Sequence, residues 1–152
     1  MRLLFALLAA SMAFAQTESE LYLTLTDILG PGETVLADID GHVTLRVNPS
    51  ATDAYDVLYD GDTLPAPPTT YLELVSWTSD LEETRIDARP GTGGTEEWDM
   101  VDVYYGGFGM GAPGLVRLSW DTTEAGDWVY EIHDDIAGEV YDASVDGEVE
   151  IT

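Results

Sequence analysis

Residues 115–133 read "LVRLSWDTTEAGDWVYEIH", and the pattern in this stretch decides the fold. Val116, Leu118 and Trp120 alternate with Arg117 and Ser119, and after "DTTEAGD" a second stripe, Trp128, Tyr130 and Ile132, alternates in the same way. Successive side chains of a strand point to opposite faces, so this period of two predicts two strands, each with one apolar face. A hairpin closed over "DTTEAGD" would set Trp120 and Trp128 on facing inner positions.

The same alternation recurs outward in both directions. "ELYLTLT" (20–26) places Leu21, Leu23 and Leu25 on one face. "TVLADID" (34–40) and "HVTLRV" (42–47) flank an Asp40-Gly41 pair, which reads as a β-hairpin. "TYLELVSW" (70–77), "TRIDA" (84–88), "EEWDMVDVYY" (96–105), "VYDAS" (140–144) and "EVEIT" (148–152) complete the strand pattern. Beyond the first residues of the chain, apolar residues nowhere recur with a helical period. Eight or nine short strands at turn spacings of about 8–12 residues predict an all-β domain, a single antiparallel β-sandwich. With no internal repeat and no long linker, residues 16–152 are expected to form one domain.

The chain opens "MRLLFALLAASMAFA" (1–15). Arg2 precedes an apolar run, Leu3–Ala10, and small residues flank Phe14, the pattern of a secretory signal peptide cleaved after Ala15. The run is well short of the ~20 residues a bilayer span requires, so membrane insertion is not expected. The expected destination is outside the cytoplasm: extracellular, cell-surface or periplasmic. There is no cysteine, so export brings neither disulfides nor a lipid-modified N-terminus.

Charge narrows the field further. Thirty acids stand against five bases, for a formal net charge of -25, and all five bases are arginine. Such a field repels nucleic acid and anionic lipid, which are bound by clustered Lys and Arg. Self-repulsion at this density opposes the compact state until ions screen it, so the composition predicts a domain adapted to high salt.

Acids at high density raise the question of a cation. "ATDAYDVLYDGDTLPAPP" (51–68) gathers Asp53, Asp56, Asp60 and Asp62 ahead of a proline run. Calcium takes six to eight oxygens, and Asp56, Asp60 and Asp62 are the candidate ligands. The spacing matches no EF-hand loop, and in "DIDGH" (38–42) Leu36 and Val47 stand where the first and last ligands belong. The favoured expectation is therefore an acidic connector without a cofactor, with calcium as the alternative.

Catalysis finds no foothold in the sequence. Two histidines, no cysteine and no lysine leave little for zinc, thiol or Schiff-base chemistry, and no G-x-S-x-G elbow occurs. Thirty carboxylates make any glycosidase-like pair uninformative. A non-enzymatic protein is expected. Carbohydrate binding needs flat exposed rings, and Tyr104, Tyr105 and Phe108, beside the glycine-rich "GGFGMG" (106–111), are the candidates. Trp120 and Trp128 continue apolar stripes and are assigned to the core.

The order "ATDAYDVLYDGDTLPAPP" (51–68), "RIDAR" (85–89), a Trp-bearing strand and "VRLSWD" (116–121) resembles a β-sandwich module of Bacteroidota-type secreted surface proteins, many of them cargo of the type IX secretion system. The similarity spans about residues 43–143. It implies an immunoglobulin-like or fibronectin-like sandwich without activity of its own, in which the acid-and-proline run crosses over one end. Such proteins usually carry a C-terminal sorting domain after the module, and this protein is expected to lack one. The expected function is that of an exported surface, matrix or interaction module whose partner is a protein or polysaccharide at the cell surface. Two alternatives remain: a carbohydrate-binding module, and a self-assembling filament subunit that donates its N-terminal strand, "ELYLTLT", to a neighbour's sheet.

Overall fold

The computed structural model describes residues 4–11, 18–27, 41–62, 71–92, 95–105 and 116–151. They form eleven strands: β1 (Leu4–Ser11), β2 (Ser19–Asp27), β3 (His42–Val47), β4 (Gly61–Asp62), β5 (Tyr71–Trp77), β6 (Glu83–Arg89), β7 (Thr95–Tyr105), β8 (Val116–Asp121), β9 (Trp128–Asp134), β10 (Glu139–Asp142) and β11 (Gly147–Ile151). The fold is all-β. Among the described residues no helix is long and apolar enough to cross a membrane.

All strands belong to one curled sheet in the order β10-β9-β1-β7-β5-β6-β3-β2-β8-β11, with β4 on β6. The sheet is mixed, because β3 and β6 run parallel while the other neighbours run antiparallel. That corrects the purely antiparallel expectation. A parallel pair needs a long connection, and here residues 48–82 lie between β3 and β6.

The curl originates at the turn between β5 and β6. Thr78 N donates to the Glu82 carbonyl at 3.0 Å, and Leu81 takes the left-handed conformation (φ 66°) that closes the turn. Only Ser76↔Thr84 and Trp77↔Glu83 pair before the strands part, β5 continuing along β7 and β6 along β3. The sheet therefore folds back on itself, and β5 approaches β3 and β2 across the interior.

The alternation read from sequence sets what lies inside. Leu21, Leu23 and Leu25 of β2, Val43, Leu45 and Val47 of β3, and Val116, Leu118 and Trp120 of β8 meet Leu74, Trp98, Met100, Trp128, Tyr130 and Ile132 in one core cluster. Aromatic rings tie distant strands together: Trp98 and Tyr130 have centroids 6.4 Å apart, and Trp120 and Tyr141 6.5 Å. Ser19 adds a polar clamp between the two ends of the sheet. Its hydroxyl donates to the Ala125 carbonyl (2.7 Å), so the Tyr130 hydroxyl, 2.5 Å away, is the donor to Ser19. Burial pushes the Tyr130 hydroxyl up to about 12. Gly91, at φ +70°, marks a close approach, since a Cβ there would lie 2.7 Å from Val47 Cγ1 and against the Trp128 ring.

One expected hairpin is not formed. β8 pairs with β2 and β11, whereas β9 pairs with β1 and β10, so "DTTEAGD" carries the chain from one side of the core to the other. Trp120 and Trp128 are both buried as expected, but they sit on strands that are not neighbours. The antiparallel partner of β3 is β2, with Leu25 N donating to the Gly41 carbonyl. The expected strand at 34–40 lies outside the described residues.

Leu4–Ser11, which overlaps the apolar run Leu3–Ala10 of the expected signal peptide, is an inner strand here. Leu4–Ala10 pairs along β7 and Phe5–Ser11 along β9. A short apolar run can also serve as a strand, and periodicity alone cannot separate the two.

Candidate functional site

The acidic stretch folds as a cap on β6, the turn after β5 and β4. Asp56 opens a tight turn: its carbonyl accepts from Tyr59 N and Asp60 N, and its carboxylate accepts from Leu58 N at 3.0 Å. Asp60 reaches inward. Its Oδ2 accepts from Asp56 N at 2.5 Å and its Oδ1 from Ala88 N on β6 at 2.7 Å. Asp62, on β4, accepts from the Tyr55 hydroxyl at 2.5 Å. The cap is fastened to the β5–β6 turn as well, through Tyr55 N to Asp80 Oδ1 and Ser79 N to the Asp53 carbonyl.

Beneath this cap lies a buried ion pair. Asp87 is 1% exposed and Arg89 8%. Arg89 Nε and Nη2 donate to the two oxygens of Asp87 at 2.8 and 3.1 Å, and Nη2 also donates to the Trp77 carbonyl at 2.9 Å. Ser76 Oγ donates to Asp87 Oδ2 at 2.6 Å, and Trp98 Nε1 donates to the Asp87 carbonyl at 3.3 Å. Burial works against the Arg89 charge, but the bonds and charge of Asp87, with Asp53 and Glu96 beyond it, raise its pKa nonetheless. The pair fixes β5, β6 and β7 where the sheet turns its corner.

The three candidate calcium ligands therefore lie in one cap but act on different partners. Asp60 has both oxygens on backbone amides, and Asp56 and Asp62 each hold a donor of their own. Among the described residues no group of three or more His, Cys, Asp or Glu side chains is gathered as a metal would need. Burial, followed by the charges of Asp87 and Asp56, raises the Asp60 carboxyl above its ordinary value, against the two backbone bonds. A raised carboxyl binds its proton more tightly in the folded state than in the unfolded chain. Its contribution to stability is thus greatest below the unfolded value and declines as pH rises through the folded one.

Of the carbohydrate candidates, Tyr104 and Tyr105 are the last residues of β7, opposite Leu72 and Tyr71 of β5. Phe108 lies outside the described residues. The histidines stay apart: His42 Nδ1 is 2.9 Å from Thr24 Oγ1, and His133 Nε2 is 3.3 Å from Glu131. Sequence reasoning passed over Asp87 and Arg89, although "DAR" carried a signal, since opposite charges two apart on a strand share a face.

The cap yields a graded expectation. Asparagine offers one acceptor where aspartate offers two, so Asp60→Asn leaves a backbone N–H of Asp56 or Ala88 facing an amide group. The orphaned donor costs about 1–3 kcal/mol, more than the relief of partly exposed charge repulsion returns. Asp62→Asn and Asp56→Asn keep an acceptor for their single donors and should change stability by under about 0.5 kcal/mol. Urea unfolding of the three variants at fixed molar salt measures the difference, and equal effects would count against this role for Asp60.

What fold and site define is an all-β protein whose cap aspartates brace turns over a buried Asp87–Arg89 pair. No known protein family, curated protein or solved structure matches the chain.

Proposed function

We propose that the protein is an exported, non-catalytic β-sandwich module of a cell surface or matrix, adapted to high salt and working by contact rather than by chemistry. The carrying observation is the division of its carboxylates. At the sheet ends, Asp60, Asp80, Asp134 and Asp146 accept backbone N–H groups and stiffen turns. Along the strands, Glu97, Asp99, Glu131, Asp142, Glu148 and Glu150 are exposed on the outer faces, while the core cluster within is apolar. A wall of carboxylate over an ordinary apolar core is a surface built for its solvent. In this reading the curled sheet is a sandwich of the immunoglobulin or fibronectin kind, as in the Bacteroidota-type secreted surface proteins that its motifs resemble.

Salt dependence tests the reading. The Debye length falls from ~10 Å at 0.1 M to ~3 Å at 1 M, below the spacing of many of these charges. The melting temperature should rise by roughly 10 °C or more between those conditions, at about 4 °C or less per kcal/mol for a domain of this size. A melt independent of sodium chloride would sink the salt-adapted reading.

The self-assembling alternative, with "ELYLTLT" as the donated strand, meets an obstacle in the two ladders of β2. As a donor, "ELYLTLT" would have to leave both β3 and β8 of its own chain, because β2 pairs with each along most of its length. β1 instead marks a place where a strand enters the sheet without being part of the expected mature domain.

A further inference from the structure

We propose that the space between β7 and β9 is a strand-acceptor site that, after residues 1–15 are removed, takes an extended segment from a second, different polypeptide. The segment runs antiparallel to both neighbours, apolar at a defined inward position and cationic at a defined outward one. The inference rests on the signal-peptide reading of those residues.

Its physical basis is the double ladder of β1. Seven residues pair with β7 and seven with β9, so removing the strand strips one backbone edge from each. The two edges would then stand roughly 9–10 Å apart, two strand spacings, with one strand missing between them. They border the core directly: Trp98 and Met100 on β7 and Tyr130 and Ile132 on β9 are fully buried, and the Trp98 and Tyr130 rings approach across the line of β1. Unpaired N–H and C=O groups beside such a core are costly and template the pairing of another strand.

Register specifies the chemistry of the incoming segment. The position of Leu7 lies opposite Trp98 and Ile132 and calls for an apolar residue, while that of Phe5 lies opposite Met100 on one side and the buried Asp134 on the other. The position of Leu8 lies opposite Glu97 on one side and Glu131 on the other, and both carboxylates are exposed. Ala6 stands opposite Asp99 and His133. An arginine or lysine at the position of Leu8 would face two acids at once, while an acid there would be repelled by both. β3 and β8 of this chain have a similar alternation, with Arg46 and Arg117 outward. Both are paired on two sides already, so a second copy offers neither as a free donor.

The test begins with the folded full chain carrying a protease site inserted after Ala15, cut so that the N-terminal strand is no longer tethered. Labelled peptides of residues 3–12 are then offered: the native sequence, L8R and L8E. Exchange into the cut protein is followed by fluorescence anisotropy. Uptake should follow the order L8R, native, L8E, with about fivefold between steps at low salt and less at molar salt. Glu97→Gln with Glu131→Gln should abolish the order while native-peptide uptake persists. Absence of exchange, an order insensitive to those substitutions, or a strand-free protein that melts like the intact one would overturn the proposal. Assembly of strand-free chains with each other in preference to peptide would overturn the choice of a different polypeptide. Intact mass of the exported protein separates the underlying reading: a chain beginning at Gln16 supports processing, and one beginning at Met1 refutes it whatever the peptides do.

Discussion

Trp98→Ala is expected to lower stability by about 3–5 kcal/mol, as truncation of other fully buried large aromatics does. Trp98 is 0% exposed and lies at the centre of the core cluster. Its ring meets Tyr130, and its Nε1 reaches the carbonyl of Asp87, so packing and one hydrogen bond disappear together. The neighbours that would have to collapse into the void belong to strands fixed by ladders on both sides, so much of the cavity should persist. Trp98→Phe separates the contributions, keeping a flat ring but not the N–H donor, and should lose less. Urea unfolding in molar sodium chloride, where the slope reports the surface exposed, provides the measurement. A loss under about 1 kcal/mol for the alanine variant would mean that β7 does not turn this face inward.

Asp87→Ala should produce an effect of similar size through electrostatics. It leaves the Arg89 guanidinium, 8% exposed, without its bidentate partner, and it leaves the Ser76 hydroxyl only the longer bond to the Asp99 carbonyl at 3.5 Å. Removing one member of a buried pair typically costs about 3–5 kcal/mol, most of it the uncompensated charge. Replacing both, as Asp87→Leu with Arg89→Met, removes charge and partner together and should recover much of the loss. The double-mutant cycle should therefore be strongly non-additive. Additive losses would indicate that Asp87 and Arg89 do not act as a pair.

Only the first prediction rests on a residue whose inward direction is legible in the sequence alone. Trp98 continues the alternation of "EEWDM", and the stripes of β2, β3, β8 and β9 are buried as the period of two requires. The acidic stretch is legible in part. Its turn-forming aspartates can be named, but the inward reach of Asp60 to Ala88 joins residues 28 apart and leaves no local trace. Asp87 and Arg89 are visible as a charged pair on one face; that the face lies under the cap is not.

By itself, the sequence determined the all-β class, the faces that β2, β3, β8 and β9 turn to the core, the absence of disulfides and the acidic composition. These follow from side-chain chemistry and a local period that those four strands obey, whereas β6 buries Asp87, Ala88 and Arg89 in succession. Which strand lies beside which was decided only in three dimensions. Backbone donors and acceptors are the same at nearly every residue, so a ladder can form with any neighbour that presents the right face. "DTTEAGD" thus suits a hairpin or a crossing equally well, and the sheet's turn at β5 and β6 makes it a crossing. The same indifference lets Leu4–Ser11 serve as an export signal in one reading and as an inner strand in the other. An apolar extended segment satisfies β7 and β9 through its backbone, whatever else its sequence encodes.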